Sequence, residues 1–332
     1  MGACRICGSG EGNRDFEAVE MMLGLRDPFT YQECGRCGAL QVARIPADLD
    51  RYYAPPYYSF HPARLAPWPV RWLRRRLADH ALEGRSAAGA MLARVAGLPL
   101  LLAGLRDAGI RRAARVLDVG AGAGQMLFQL HDYGFHHLTG IDPFLERDLV
   151  YPNGVTVRRA ALEETGGQYD LVMFHHSFEH VPDPLATLAA AAERLGPGGW
   201  VLVRTPVAAA SWRHYGADWV ELDAPRHLHV HTHASLRTLA ARAGLQVTAV
   251  QQEAYSLEIW GSEQYRRGIP LTDPRSHWRG GAGRVFSRRE MRRFQARARA
   301  LARAGEAGRA AFWLRKTAPP SATPRTPGSL PR

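Results

Sequence analysis

Short apolar runs separated by turn residues set the rhythm of the middle of the chain. VLDV (116–119), HLTGID (137–142), YDLVMFH (169–175) and WVLVRTP (200–206) are each a few residues long and bounded by glycine, proline or polar residues. Runs of that length predict buried strands. QMLFQL (125–130), directly behind a glycine turn, opens an amphipathic helix. THASLRTLAARAGL (232–245) repeats its apolar positions at helical spacing, with Thr232 as expected N-cap and Gly244 near the C-cap. AAFWLRK (310–316) predicts a closing strand. WPVRWLRRRLADHAL and AAGAMLARVAGLPLLLAGL, within 68–112, predict basic helices leading into this central region. SRREMRRFQARARALARAGEAGR (287–309) predicts a further basic helix with a solvated face. The stretch from Ser262 to Arg284 reads as loop.

Composition narrows the classes open to such a chain. Its 332 residues suffice for a large core or two domains, and 46% hydrophobic with 22% charged residues is the balance of a globular protein. The net charge of +12 comes almost wholly from arginine, Lys316 being the single lysine. Because no RNA- or DNA-binding motif accompanies the charge, it is read as solvated faces, and nucleic acid is not expected as a partner. The arginine-dense segments 71–76 and 287–309 raise peripheral contact with a membrane surface. VAGLPLLLAGL (95–105) is too short to span a bilayer and carries a proline, so no transmembrane segment is expected. With a cysteine motif beginning at Cys4 no signal peptide is expected, and the cytoplasm is the expected compartment.

All four cysteines sit in CRICG (4–8) and CGRCG (34–38). The two-residue spacer lets both sulfurs of a pair face one ion, and the following glycine permits the tight turn. Cys4, Cys7, Cys34 and Cys37 are therefore expected to hold a structural Zn2+ in a closed tetrahedral site, in preference to a redox pair or disulfides. DLDRYYAPPYYSF (48–60) follows; its Tyr52, Tyr53, Tyr57 and Tyr58 line an acceptor pocket or pack the cysteine lobe on the next domain. The expected division is a zinc-ribbon lobe with this loop (1–60), a basic helical linker (61–112), a main domain (113–316) containing an acceptor-covering insertion (205–231), and a disordered tail (317–332).

ARVLDVGAGAGQMLFQL (114–130) carries the most chemistry. Gly120, Gly122 and Gly124 let the backbone turn sharply and approach a ligand, and the helix start behind them offers free N–H groups. Asp118 precedes the turn, and Asp142 ends the next strand, where an acid accepts both ribose hydroxyls of a nucleoside. A glycine turn alone also suits dinucleotide enzymes. The ordered set VLDVGAGAG, GIDP, YDLVMFHHSFEHV and LGPGGWVLV, however, resembles the class I S-adenosylmethionine-dependent methyltransferases over roughly residues 112–252. The knuckles, the Tyr/Pro run, FEHVPDP and DWVELDAPRHLHVHT are similar to a bacterial zinc-ribbon subfamily associated with polysaccharide, nucleotide-sugar and natural-product pathways. The resemblance implies an α/β, Rossmann-like fold of seven strands with the last antiparallel, and S-adenosyl-L-methionine as cofactor. It also implies a small-molecule, sugar-like acceptor, with C- versus O-methylation left open. On that basis Asp118, Gly120, Gly122, Gly124 and Asp142 are expected cofactor contacts, with Glu163 near the adenine and Phe174 or His175 near the sulfonium.

Methyl transfer needs position, exclusion of water and a base. FHHSFEHVPDP follows the fourth strand, where ligands bind in open α/β sheets. His180 and His227 are the expected bases, with Glu179 orienting them and His176, Tyr215, Trp219 and Arg226 contacting the acceptor. Arg226 would fork onto a phosphate or carboxylate, and Trp219 would stack on a sugar ring. A divalent ion held by the His/Glu cluster is not expected, for want of ligands on separated loops. APRHLHVHTH (224–233) places four histidines at alternate positions; the helix beginning at Thr232 removes His233 from that face, and packing is expected for His229 and His231. The competing classes are a non-catalytic scaffold with a degenerate cofactor domain and a methyltransferase acting on protein or RNA.

Overall fold

Strand alternation and two cysteine turns build the first part of the chain. The computed structural model describes residues 2–53, 61–279 and 285–317; the expected disordered tail beyond Thr317, and Tyr57 and Tyr58, lie outside the described residues. Arg14–Val19 (β1), Pro28–Glu33 (β2) and Leu40–Val42 (β3) form an antiparallel meander. Three helices follow: Trp68–Glu83 (α1), Ala87–Ala96 (α2) and Leu100–Asp107 (α3). The second predicted basic helix is thus two, interrupted at Gly97-Leu98-Pro99, where proline cannot supply the backbone donor that a continuing helix needs.

The main sheet then begins. Its strands are Val116–Val119 (β4), Leu138–Ile141 (β5), Leu149–Val150 (β6), Thr156–Arg158 (β7), Tyr169–His175 (β8) and Leu195–Pro206 (β9). His229–Val230 (β10) belongs elsewhere, and Leu245–Gln252 (β11) and Arg309–Lys316 (β12) complete the sheet. The order is β11-β12-β9-β8-β4-β5-β7-β6, with β12 antiparallel to both neighbours. This is the expected α/β, Rossmann-like arrangement of seven strands, extended at one edge by the two-residue β6. The GPGG segment, expected as a turn before the fifth strand, lies within β9; the pairing jumps from Leu195 to Trp200, so residues 196–199 bulge out of register.

Six more helices follow: Gln125–Tyr133 (α4), Pro184–Glu193 (α5), Ala210–Tyr215 (α6), His233–Arg242 (α7), Leu257–Arg266 (α8) and Arg288–Arg303 (α9). Thr232 and Ser235 form a reciprocal capping box at the start of α7, as its sequence predicted. Ser262–Arg266, expected as loop, instead ends α8, which buries Leu257, Ile259, Trp260 and Tyr265. Burying side chains of this size stabilises by about 1.5–3 kcal/mol each, enough to override the polar residues between them.

Alternation along the strands splits the core between the two faces. Leu117, Val172, Phe174, Val201 and Val203 pack with α5 and α7 on one side. Val116, Leu171, Met173, Leu202 and Trp313 pack with α1, α3 and α4 on the other. The histidine ladder joins the two sheets. Its β10 pairs antiparallel with β3 and becomes the fourth strand of the cysteine-lobe sheet, whereas His231 bridges to Val207 beside the main sheet.

Candidate active site

At the carboxyl end of β4 the chain turns through three left-handed glycines, Gly120 (φ +73°), Gly122 (φ +53°) and Gly124 (φ +88°). The amides of Gly120 and Ala121 donate to the Ile141 carbonyl at 2.8 and 3.0 Å, which locks the turn onto the end of β5. A Cβ on Gly120 would stand 2.4 Å from Cβ of Ser177, so only glycine fits there. Asp142 ends β5 and braces the same turn: Oδ2 accepts from the Gly122 amide and Oδ1 from the Phe144 amide, both at 2.9 Å. Burial raises its carboxyl above the usual range, and the two amides draw it back. Asp118 is buried deeper; burial first, and Asp142 second, hold its carboxyl well above the usual range, and its Oδ1 has no hydrogen-bond partner among the described residues.

Two cavities flank this turn. The larger, about 760 Å³, is lined by Gly120, Asp142, Phe144, Glu163, Phe174 and Ser177 among others. The second, about 420 Å³, is lined by Asp118, Gly122, His175, Glu179, Glu221, Asp223, His227, Tyr255 and Arg309 among others. Gly120, His176 and His180 line both. They form the seam between the two spaces.

The seam is built by the loop after β8. His176 sits at φ +56°, a conformation that costs a non-glycine residue roughly 1 kcal/mol and that concentrates at functional sites. Its Nδ1 lies 3.5 Å from Oε1 of Glu179. Glu179 is buried, accepts from the Thr205 hydroxyl at 3.0 Å, and is pushed up to about 8 by burial. Nδ1 of His180 faces the Arg226 carbonyl at 2.8 Å and the Tyr53 hydroxyl at 3.0 Å. Donation from Nδ1 to that carbonyl leaves Nε2 as the bare acceptor nitrogen. His227 is held the same way by the Glu221 carbonyl at 2.8 Å, and the two rings meet edge to face with centroids 4.9 Å apart. Burial lowers both imidazoles, His227 to about 3, so both are neutral at pH 7. His175 points at Arg204 (Nε2 to Nη1, 2.9 Å) and is lowered to about 3 by burial first and that cation second.

Three expected acceptor contacts are placed elsewhere. Trp219 is wholly buried against Trp212, and Tyr215 is buried with its hydroxyl on Glu263 at 3.0 Å; neither lines either of the two cavities. Arg226 is also wholly buried. It forks onto Asp223, and its Nη1 reaches Glu20 at 3.4 Å and the Tyr52 carbonyl at 3.2 Å, so its guanidinium knits the loop to the cysteine lobe. A buried arginine needs carboxylates around it, and these satisfy it before any ligand arrives. Residues that spacing did not single out line the second cavity instead: Asp223, Tyr255 and Arg309. Arg309 pairs with Glu221 (2.8 Å) and lies 4.0 Å over the Tyr255 ring. The one signal for it was a charged residue heading the apolar run AAFWL.

In the cysteine lobe, Sγ of Cys4 and Cys37 are 3.7 Å apart and those of Cys7 and Cys34 3.5 Å, with all four within 4.8 Å of one another. Four thiolates about 2.3 Å from one ion would lie about 3.8 Å apart, so the set fits a tetrahedral zinc site. Among the described residues the other group of such ligands is Glu179, His180 and His227. The ladder's His229 is not part of it; its Nε2 accepts from Arg5 at 3.0 Å, and His231 stacks on Phe178.

A family model described as a methyltransferase domain matches residues 90–250. A ubiquinone biosynthesis O-methyltransferase of Bordetella avium is 33% identical over 179 residues, 48% of this chain and 73% of that protein. One from Nitrosospira multiformis is 32% identical over 163 residues, 42% and 66%. Among solved structures, a 1,6-didemethyltoxoflavin-N1-methyltransferase of Burkholderia thailandensis with bound S-adenosylhomocysteine is 16% identical. The match covers 86% of this chain and 97% of that one, with a TM-score of 0.39.

Proposed function

The chain belongs to the class I S-adenosylmethionine-dependent methyltransferases, and from that premise we propose that it methylates a small, hydroxyl-rich acceptor of saccharide or nucleotide-sugar type. The observation that carries this reading is the seam: a cofactor-sized cavity and a smaller polar cavity meet at Gly120, His176 and His180. When bound in the larger cavity, S-adenosyl-L-methionine supplies an electrophilic methyl group on its sulfonium. Asp142 is placed to hold the ribose, Gly120 the amino-acid end where the turn meets both cavities, Glu163 the adenine side, and Phe174 an apolar wall, while Gly122 lines the smaller cavity. Asp118, buried beside Asp142 with one carboxyl oxygen unpartnered among the described residues, lines the acceptor cavity.

The acceptor cavity presents Glu221, Asp223, His175, His176 and His227 as hydrogen-bond acceptors suited to hydroxyl donors, with Glu179, protonated below about pH 8, as a donor among them. Its cations are already paired: Arg309 with Glu221 and, behind the wall, Arg226 with Asp223. The part of the acceptor that enters is therefore uncharged, and a phosphate, where present, stays outside. His180 takes the acceptor proton, because it alone of the two expected bases touches both cavities and its Nε2 is free to accept. His227 lies one ring behind, fixing the orientation of His180, and Glu179 holds His176 in its left-handed conformation. A Zn2+ on the four cysteines is structural in this reading. It stabilises the lobe that carries β3, to which the acceptor loop is paired.

The experiment is a screen of nucleotide sugars, free saccharides and phenols with the purified zinc-loaded protein, read by mass spectrometry for transfer of one methyl group. Calorimetry with S-adenosylmethionine runs alongside it. Cofactor binding with methylation of a hydroxylated small molecule supports the reading. Absence of cofactor binding refutes the enzyme, and methylation of protein or RNA in preference to all small molecules refutes the acceptor class.

A further inference from the structure

Apolar side chains left in water are concentrated in one place. Of thirteen large hydrophobic residues exposed among the described residues, eight fall between residues 65 and 100: Leu65, Trp68, Val70, Trp72, Leu73, Met91, Val95 and Leu100. Trp68 is 71% exposed and Val95 84%. Within Trp68–Arg76, the first turns of α1, every residue is exposed except the half-buried Arg74. The apolar anchorage of the helix lies in its second half, where Leu77, Ala78, Ala81 and Leu82 are buried, and its first half is held by Arg71 and Arg74 on the buried Asp132. Gly89 of α2 packs against the Arg76 carbonyl and His80, so the rest of α2 returns alongside the exposed start of α1. Met91 and Val95 lie on that returning stretch.

Charge selects what meets this surface. Residues 61–107 hold eight arginines against three acids. Arg64, Arg75 and Arg94 have no carboxylate partner among the described residues, and Arg71 and Arg76 stay 43% and 44% exposed even in their ion pairs. Two copies of the chain meeting here would bring these arginines together. An anionic lipid surface instead neutralises them while tryptophan and aliphatic side chains enter the headgroup layer, the zone that indole favours. We propose that the α1–α2 hairpin is a docking surface for an anionic lipid bilayer. The other basic helix, α9, does not share this character. Its Met291, Phe294 and Leu301 pack inward, leaving a charged face with no exposed large apolar residue.

The surface adjoins the catalytic region. The Gln125 side chain, at the head of α4 behind the glycine turn, donates to the His61 carbonyl at 3.3 Å. Leu100 lines a cavity of about 280 Å³ that shares Met126 and His175 with the acceptor cavity. Docking by this hairpin sets the mouth of the acceptor side close to the membrane.

The test is flotation of the zinc-loaded full chain with vesicles of phosphatidylcholine alone and of phosphatidylcholine with about one-third phosphatidylglycerol, at low and high salt. The protein is expected to float with the anionic vesicles and not the neutral ones, and to be released by salt. Trp68→Ser/Trp72→Ser is expected to weaken partitioning about tenfold or more, with thermal stability and cofactor binding unchanged, since both indoles are exposed. Arg289→Glu/Arg293→Glu on α9 is expected to leave partitioning within about twofold of the unmodified protein. Failure to float with anionic vesicles, or flotation insensitive to the tryptophan changes, overturns the proposal. So does a dimer by light scattering that the tryptophan changes dissolve without any vesicle binding, because it assigns the surface to a second copy.

Discussion

Tyr31→Phe removes one oxygen from the cysteine lobe and is expected to disturb the acceptor site. Tyr31 is fully buried in β2, and its hydroxyl donates to the backbone carbonyl of His227 at 2.8 Å. Burial pushes the phenol well above its ordinary value, so it remains a donor at every working pH. The phenylalanine ring keeps the packing but leaves that carbonyl without its donor. An orphaned buried acceptor costs about 1–3 kcal/mol, and a loss of that size lowers the melting temperature of a protein this large by a few degrees. The carbonyl belongs to the loop that carries Arg226 and His227, and the next amide, Leu228, donates to the Glu179 carbonyl at 2.9 Å. Amide exchange over residues 224–231 should therefore accelerate several-fold, while exchange across β4, β5 and the glycine turn, and affinity for S-adenosylmethionine, stay as they were. Hydrogen exchange read by mass spectrometry, with calorimetry for the cofactor, measures both. If the melting temperature falls but 224–231 keeps its protection, the lobe does not position the acceptor loop and the argument is wrong.

Other substitutions separate the remaining roles. Asp142→Ala removes the brace on Gly122 and the ribose acceptor together, and calorimetry should show cofactor affinity lower by about tenfold to a hundredfold; unchanged affinity would take Asp142 out of the site. His180→Ala should leave cofactor affinity intact and lower turnover by about 10²–10⁴-fold, whereas equal turnover would move the base elsewhere. Removing zinc by chelation, or Cys34→Ser, should release one metal equivalent and lower the melting temperature with increased exchange in β3 and β10; a metal-free protein of equal stability would show that the cysteines hold nothing structural. Glu179 titrates at about 8 when folded, above its ordinary 4.5. Its contribution is therefore most favourable to folding below about pH 4.5 and is lost as pH rises through about 8. Relative to the parent, Glu179→Gln should gain stability between pH 5 and 9 in denaturant titrations, and a constant difference across that range would show that Glu179 ionises normally.

What was legible in the sequence was local. The strand–glycine turn–helix of 116–130, the acid at 142, the caps of α7 and the paired knuckles are each written in a few adjacent residues. Their geometry follows from backbone sterics and short-range hydrogen bonds, so they emerged in the structure where they were expected. Pocket membership was not local. Trp219 and Arg226 have the chemistry of ligand contacts, and only packing shows that one fills the core and the other is saturated by Asp223 and Glu20. Asp223, Tyr255 and Arg309 come from three segments that nothing in their spacing connects. The histidine ladder shows the same division. Alternation predicted a strand, but whether that strand faced a metal, an acceptor or another sheet depended on what stood across from it. The tertiary structure put β3 there, with Arg5 on His229. By itself the sequence determined the cofactor turn, the cysteine quartet and the secondary structure around them, because these are near-neighbour physics. The fold alone decided which buried polar groups pair with each other and which are left facing a cavity, because that depends on residues brought together from as far apart as Glu20 and Arg226.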